Sequence, residues 1–575
     1  LLNLKYMSRR RDKGYPARLW AVGFAFAVAV SGLMVRLIEL QVLDRDFLRG
    51  EGEARHLRVV AAPAHRGMIT DRHGEPLAVS TPVASVWFNP QLLRKAPNQW
   101  PDLAQTVGVS TAYLESRIEE GGEHEFVYLK RWIEPEVARR VQILDVPGVN
   151  LQSEYRRYYP AGPVAAHIVG FTNIDDLGQE GLELAFDETL RGIPGKKRVI
   201  QDSRGRVVGD VENLRAPRPG QDLRLSIDLR LQYLAYRELR AAVQDHNARA
   251  GSLVVLDVDT GEVLAMVNQP SYNPNDRSQL QSRLYRNRAV TDLFEPGSTI
   301  KPFTIGIALE SGEFNPHTFI DTAPGYFRVG RYTIHDVHNY GRIDVSTVIK
   351  KSSNVGASKI ALTLDPQHFW QGFAQLGLGA STVSGFPGEA EGHLPNPTSF
   401  ERSEIARATL AFGYGLSVTT LQLARAYATI GAGGELRPIS FLYQQQAASG
   451  YQVWPESTAS AVLSMLEQVV SDGGTGEQAH VPGYRVAGKT GTVKKAISGG
   501  YATDQYVSLF AGLIPASHPR LAMVVFIDEP QGGAYYGGLV AAPVFSRVMV
   551  GAMRLLNIAP DNLHPLHLAE RKNTG

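Results

Sequence analysis

The chain has 575 residues, enough for two or more domains with full cores, and its 43% hydrophobic content is that of a globular protein. A formal net charge of +2, with no run of aromatic residues interleaved with basic ones, argues against nucleic acid as the main partner. The absence of cysteine excludes disulfides, thiolate metal sites and cysteine nucleophiles, and it suits either side of a membrane.

At the N-terminus Lys5, Arg9, Arg10, Arg11, Lys13 and Arg18 face one acid, Asp12, and precede an uncharged apolar run from Leu19 to Val35. The positive flank predicts a cytoplasmic segment over 1–18 and a transmembrane anchor over 19–38, with everything after it exported. A cleaved signal peptide is the rival, because Ala27-Val28-Ala29 has the small-residue cleavage pattern, although that site falls inside the apolar run. Leu37, Leu40 and Leu43 predict that the helix continues briefly beyond the bilayer.

From 46 to 215 short strands and Gly- and Pro-rich loops predict a mixed α/β domain. Arg66, Asp71, Arg72, Glu180 and Glu183 form a candidate ion-pair group, with an ordinary solvated surface as the alternative. His65 and His167 have no partners at metal-ligand spacing, so structural roles are expected. Ala216-Pro217-Arg218-Pro219-Gly220 marks a boundary, after which a second domain is expected over 221–557. There Asp228 caps a predicted helix carrying Leu231, Leu234, Leu239 and Val243, and Ser252 to Asp257 with Glu262 to Val267 read as a hairpin around Asp259-Thr260-Gly261. Val507 to Leu513 and Leu521 to Ile527 read as strands, and Ala542 to about Leu556 as a helix. Elements from both ends of this domain thus form one antiparallel sheet with helices on its faces, and an all-helical middle is inserted between them. The fold class is α+β. The tail, 558–575, is poor in apolar residues and is expected to be disordered.

Three short motifs carry chemistry. In Phe294 to Phe303, F-E-P-G-S-T-I-K-P-F, Ser298 and Lys301 lie three residues apart on one face of a helix predicted to begin close to Ser298, since Pro302 is tolerated only in a first turn. Ser352-Ser353-Asn354 follows, and Lys489-Thr490-Gly491-Thr492 lies downstream in a stretch, Tyr484 to Val493, that reads as strand. S-x-x-K alone is weak, but the three together and in order mark serine acyltransferases that recognise penicillin. Ser298 is the candidate nucleophile and Lys301 its base, which requires a neutral amine; burial and the like charge of Lys489 both lower a lysine pKa. Ser352 is a candidate proton relay to the leaving amine, and Asn354 offers amide groups to a substrate backbone. Lys489, Thr490 and Thr492 are candidates to hold a substrate carboxylate, and bare Gly491 lets a substrate lie along the strand. The backbone N–H groups of Ser298 and Thr492 are the candidate oxyanion hole. Tyr535-Tyr536-Gly537-Gly538 places two rings that either flank the cleft or simply pack, and Ala496 to Thr503 reads as a mobile loop.

With these residues the sequence resembles the class B penicillin-binding proteins of the division-specific, septal type, also called the penicillin-binding protein 3 type. The resemblance extends to Arg66-Gly67-Met68-Ile69-Thr70-Asp71-Arg72, Arg157-Tyr158-Tyr159-Pro160, Gly178 to Glu183, Gly413 to Thr419 and Tyr535 to Phe545. It implies a non-catalytic pedestal over 46–215 and a penicillin-recognising transpeptidase domain over 221–557. The implied activity is D,D-transpeptidation, in which the serine attacks the penultimate D-Ala carbonyl of a stem pentapeptide and passes the peptide to an amine on an acceptor strand. β-Lactams are the implied covalent inhibitors. It also implies the inner membrane with the catalytic domain in the periplasm, a glycosyltransferase and other division proteins as partners, and no metal or organic cofactor. A D,D-carboxypeptidase uses the same motifs with water as acceptor. A β-lactamase would need a further carboxylate, for which Glu389, Glu391, Glu401 and Glu404 are available. A non-enzymatic β-lactam sensor or division scaffold is the alternative outside catalysis.

Overall fold

The computed structural model describes residues 16–43, 45–46, 57–201, 207–497 and 500–562. Helix α1, Pro16–Ile38, has 23 residues and is followed by a π-helical turn, Glu39–Leu43. At 1.5 Å per residue α1 is about 35 Å long, enough to cross a bilayer core. Its apolar side chains are bare, with Trp20 80% exposed, so the helix carries an unburied apolar surface suited to lipid. The continuation expected from Leu40 and Leu43 is this π-turn.

Packing divides the chain into two compact units, Leu1–Pro63 with Val83–Glu154 and Pro194–Arg218, and Ala64–Pro82 with Tyr155–Ile193 and Pro219–Gly575. This differs from the linear division at 215/221, because two segments of the first region pack within the unit that carries the transpeptidase motifs. In the first unit the strands Leu57–Ala62, Gly195–Gln201 and Val207–Arg215 form an antiparallel sheet. Helices Trp100–Val107, Thr111–Gly121 and Pro135–Leu144 close a core around Phe88, Leu103, Leu114, Leu129 and Val141.

In the second unit the expected charge group is only partly realised. Arg66 pairs with Glu183 at 2.7 Å and with Asp187 at 2.8 Å, and Arg157 pairs with Glu183 at 2.7 Å, all at buried or nearly buried side chains. Arg72 instead meets Glu262 at 3.2 Å, and Asp71 accepts the N–H groups of His73, Glu75 and Leu229. Glu180 makes no ion pair among the described residues. Burial decides this outcome, since a guanidinium out of water needs carboxylates on several sides. His167 is buried, held to the Leu284 carbonyl at 2.8 Å, and burial lowers its pKa to about 4, which fits a structural role.

The five-stranded sheet of this unit comprises β1 (Ala250–Asp257), β2 (Val263–Gln269), β3 (Ala487–Ile497), β4 (Gly500–Ile514) and β5 (Leu521–Asp528), in the antiparallel order β2-β1-β5-β4-β3. Side chains alternate between faces along a strand. Leu253, Val255, Met523, Val525 and Ile527 accordingly pack with helix α2 (Leu229–Asp245) and the C-terminal helix Ala542–Leu555. Val254, Leu256, Val524 and Phe526 join the opposite core, which holds helix α3 (Lys301–Glu310) and Thr420–Gly431. Every residue of β1, β2 and β5 is buried, which explains their unbroken apolar runs. Asp228 caps α2 by accepting the N–H groups of Arg230 and Leu231.

Three expectations need correction. The inserted middle is not all-helical; it carries three two-stranded ribbons, among them Tyr326–Val329 with Tyr332–His335. The segment read as a mobile loop over 496–503 is the tip of the β3–β4 hairpin, where Ala496 pairs with Tyr501 and Ile497 with Gly500; residues 498–499 lie outside the described residues. The start of the tail is pinned, because Asp561 accepts the Arg485 and Ser517 N–H groups and Asn562 N–H bonds Gly483 O. The rest of the tail lies outside the described residues.

Candidate active site

Gly297–Ile300 forms one 3-10 turn, and α3 begins only at Lys301. The reason is Pro302: without an N–H it cannot bond the Ser298 carbonyl, which accepts the Lys301 N–H instead. Ser298 therefore stands on a tight turn just ahead of a helix rather than inside its first turn. That turn is pressed against β3. A Cβ on Gly297, where φ is +53°, would sit 2.4 Å from Val493 Cγ2, and one on Gly491 would sit 3.0 Å from Thr299 Cγ2 and 3.2 Å from Pro296 O. The missing side chain of Gly491 thus admits the nucleophile turn.

Helix α3 is apolar and buried on all sides, and Lys301 is its only buried cation. Lys301 Nζ lies 3.0 Å from Ser298 Oγ, 2.5 Å from the Ser352 carbonyl, 2.7 Å from Asn354 Oδ1 and 3.1 Å from Ser352 Oγ. A neutral amine has two N–H groups and one lone pair. The carbonyl and the amide oxygen take the two donors, which leaves the lone pair for the Ser298 hydroxyl. Electrostatics favour that state: burial, with Lys489 as a nearby like charge, holds the Lys301 pKa well below the ordinary lysine value, while Asp336 opposes the shift. Burial also lowers Lys489 to about 7.

Ser352 sits between the two amines, its hydroxyl 2.9 Å from Lys489 Nζ. Its backbone is left-handed, with φ at 60°, where it ends the helix Val345–Lys351, and Ser353 at once caps helix α4, Asn354–Thr363. This stop and restart turns the Ser352 carbonyl and the Asn354 amide toward the same amine. Asn354 Nδ2 donates to His335 O at 3.1 Å, which fixes its oxygen toward Lys301 and leaves one amide N–H for a substrate. On β3, an edge strand, Thr490 Oγ1 meets Thr475 Oγ1 at 2.8 Å and Thr492 Oγ1 accepts the Gly537 N–H at 2.9 Å. The eight expected residues thus gather around the 297–300 turn, the 352–354 turn and β3.

Sequence reasoning missed Asp336 and Thr475. Asp336 accepts the Ser353 hydroxyl at 2.6 Å and the N–H groups of Asn354 and Val355 at 2.6 and 3.0 Å. No motif surrounds it, and only the ribbon ending at His335 brings it under the turn. Tyr506, Tyr535 and Tyr536 form a stack with centroid spacings of 4.2 and 4.5 Å, and the outer ring, Tyr536, is half exposed. These rings pack on one another, which is the packing reading of the tyrosines.

The family model described as the penicillin binding protein transpeptidase domain matches residues 251–550, and that described as the penicillin-binding protein dimerisation domain matches 61–225. The chain belongs to the penicillin-binding protein transpeptidase family. This penicillin-binding protein is 44% identical over 541 residues to the peptidoglycan D,D-transpeptidase FtsI of Escherichia coli (strain K12), covering 93% of this chain and 91% of the relative. It is 42% identical over 550 residues to the probable peptidoglycan D,D-transpeptidase PbpC of Pseudomonas aeruginosa, covering 96% of each. Among solved structures, the apo transpeptidase domain of penicillin-binding protein 3 from Burkholderia pseudomallei matches with a TM-score of 0.54 and 42% identity, covering 59% of this chain and 97% of that one.

Proposed function

We propose that this penicillin-binding protein is a peptidoglycan D,D-transpeptidase of the division septum that works through an acyl-enzyme on Ser298. The observation that carries the reading is the buried Lys301 amine 3.0 Å from Ser298 Oγ, with both of its N–H groups engaged elsewhere. Lys301 takes the Ser298 proton as the serine attacks the penultimate D-Ala carbonyl of a stem pentapeptide, and the N–H groups of Ser298 and Thr492 receive the oxyanion. Ser352, between Lys301 and Lys489, passes a proton to the departing D-Ala amine. Lys489, Thr490 and Thr492 hold the substrate carboxylate, and Asn354 bonds the peptide. An amine on the acceptor strand then displaces Ser298. β-Lactams acylate the same serine.

Of the four carboxylates that a β-lactamase reading could draw on, Glu389 is already engaged, both of its oxygens accepting from Thr382 and Ser384. Helix α1 anchors the chain in the inner membrane, with the catalytic unit in the periplasm alongside a glycosyltransferase and other division proteins. The test is covalent labelling by a fluorescent penicillin. The intact protein takes a slowly released label, Ser298→Ala takes none, and Lys301→Ala labels at least about a hundredfold more slowly. A folded wild-type protein without label would refute the proposal, as would label retained by Ser298→Ala.

A further inference from the structure

The first unit, which carries none of the three motifs, holds a cavity of about 1040 Å³, and every residue that lines it belongs to that unit. Its walls include the Val59–Pro63 end of the first strand, the Val149–Ser153 part of the strand Val149–Tyr158, and Val141 and Gln142 of helix Pro135–Leu144. Trp87 and Phe126 stack at 4.7 Å and both line it. Phe126 is 41% exposed, meets the Tyr128 ring edge-to-face at 4.8 Å, and with Tyr128 also lines a second cavity of about 430 Å³. An extended molecule lying in both hollows therefore crosses an aromatic stack.

Around the stack the polar groups are mostly amides. Asn89, Gln142, Asn150, Gln152 and Asn213 line the larger cavity, whereas its charged side chains are two acids, Glu125 and Asp145, and one cation, Lys197. Asn89 spends its Oδ1 on the N–H groups of Gln91 and Leu92 and keeps its Nδ2 for another acceptor. The side chains of Gln142, Gln152 and Asn213 make no hydrogen bond among the described residues. Asn150 Nδ2 is buried without a partner, and a donor out of water is costly until an acceptor arrives. A sugar matches this lining: the C–H face of its ring lies on the negative face of an aromatic ring, and its hydroxyl and acetamido groups donate and accept as side-chain amides do. A polyanion would find one cation against two acids. A protein strand added to Leu57–Ala62 would be recognised through main-chain hydrogen bonds and would leave the stack and the amides without a role.

We propose that this groove binds the glycan strand that carries the stem peptides, through its backbone of N-acetylated amino sugars and independently of the catalytic site. Successive sugar rings lie on Phe126 and Trp87, and the acetamido carbonyls accept from Asn150 Nδ2 and the neighbouring amides. A bound strand brings its stem peptides to the same chain as Ser298 and raises their local concentration. The choice of this strand as the ligand rests on the transpeptidase reading; the sugar-binding character of the groove rests on its lining.

The test uses the full chain in detergent micelles and end-labelled chitohexaose, an uncharged β-1,4-linked N-acetylglucosamine oligomer, followed by fluorescence anisotropy. The wild type is expected to bind it, with unlabelled chitohexaose competing and dextran not, and prior acylation of Ser298 by penicillin is expected to leave the affinity within about twofold, since the active site takes no part. Phe126→Ala should weaken binding at least about tenfold, Phe126→Trp should keep it within about twofold, and Gln152→Ala should weaken it about threefold. Thermal melts check each variant, and Gln152→Ala decides the matter if Phe126→Ala does not fold. No binding by the wild type, competition by dextran, loss of binding on acylation, or full affinity in folded Phe126→Ala or Gln152→Ala would overturn the groove. A wild type that binds chitohexaose but is never acylated by penicillin would overturn the transpeptidase reading instead.

Discussion

Replacing Asp336 by asparagine tests how the 352–354 turn governs the catalytic amine. The carboxylate accepts one hydroxyl and two backbone N–H groups, at 2.6, 2.6 and 3.0 Å. Hydrogen bonds to a charged group contribute about 1.5–3 kcal/mol each, and an asparagine keeps one acceptor oxygen while turning an NH2 toward donors. The turn that carries the Ser352 carbonyl and Asn354 Oδ1 then loosens. If about 3 kcal/mol of that loss falls on the acylation transition state, the rate drops roughly a hundredfold. The charge has a second, opposite-signed signature. Asp336 stabilises the Lys301 ammonium, so its neutralisation lowers the Lys301 pKa further, and the acidic limb of the pH–rate profile moves to lower pH. Stopped-flow acylation by a chromogenic cephalosporin across pH reads both effects. Acylation within twofold of wild type, or an acidic limb moved to higher pH, would show that Asp336 does not act through Lys301.

Other outcomes follow from the same geometry. Lys301→Met should retain the fold, because it replaces a buried amine by an apolar chain of similar length, yet penicillin acylation should fall by at least about a thousandfold; a large drop in melting temperature would point to a structural role instead. Lys489 is lowered to about 7 in the folded protein, so the unfolded chain binds more protons between that value and the ordinary lysine value. Stability should accordingly rise with pH from about 7 toward 10, and denaturant titrations of Lys489→Met should show a smaller rise, the part that Lys301 still contributes. Gly491→Ala introduces contacts at 3.0 to 3.2 Å with Thr299, Leu509 and Pro296, and should destabilise the catalytic unit by about 1–3 kcal/mol in thermal melts while slowing acylation. Glu183→Gln leaves buried Arg66 and Arg157 without their shared counter-charge and should cost about 3–5 kcal/mol in equilibrium unfolding.

Local chemistry made much of this protein readable in its sequence. Apolar periodicity located α1, α2 and the strands β1, β2, β4 and β5, because strands buried on both faces leave unbroken apolar runs. Ser298, Lys301, Ser352, Asn354 and Lys489 were readable because each belongs to a short motif in which neighbours set the backbone. Pro302 even carried the reason for the 3-10 turn, although only the hydrogen bonds showed that α3 starts at Lys301. Tertiary structure alone decided the rest. It gave Gly491 to the nucleophile turn, since close approach of two backbones has no signature in either segment. It placed Asp336 under Ser353, an encounter across a ribbon whose pattern is too short to detect. It sent Arg72 to Glu262 and left Arg66 with Glu183 and Asp187, because pairing among many surface-like charges is settled by which of them burial deprives of water. The depressed lysine pKa belongs to that second class as well: the sequence supplies two lysines, and only the fold brings them to one hydroxyl in a dry site.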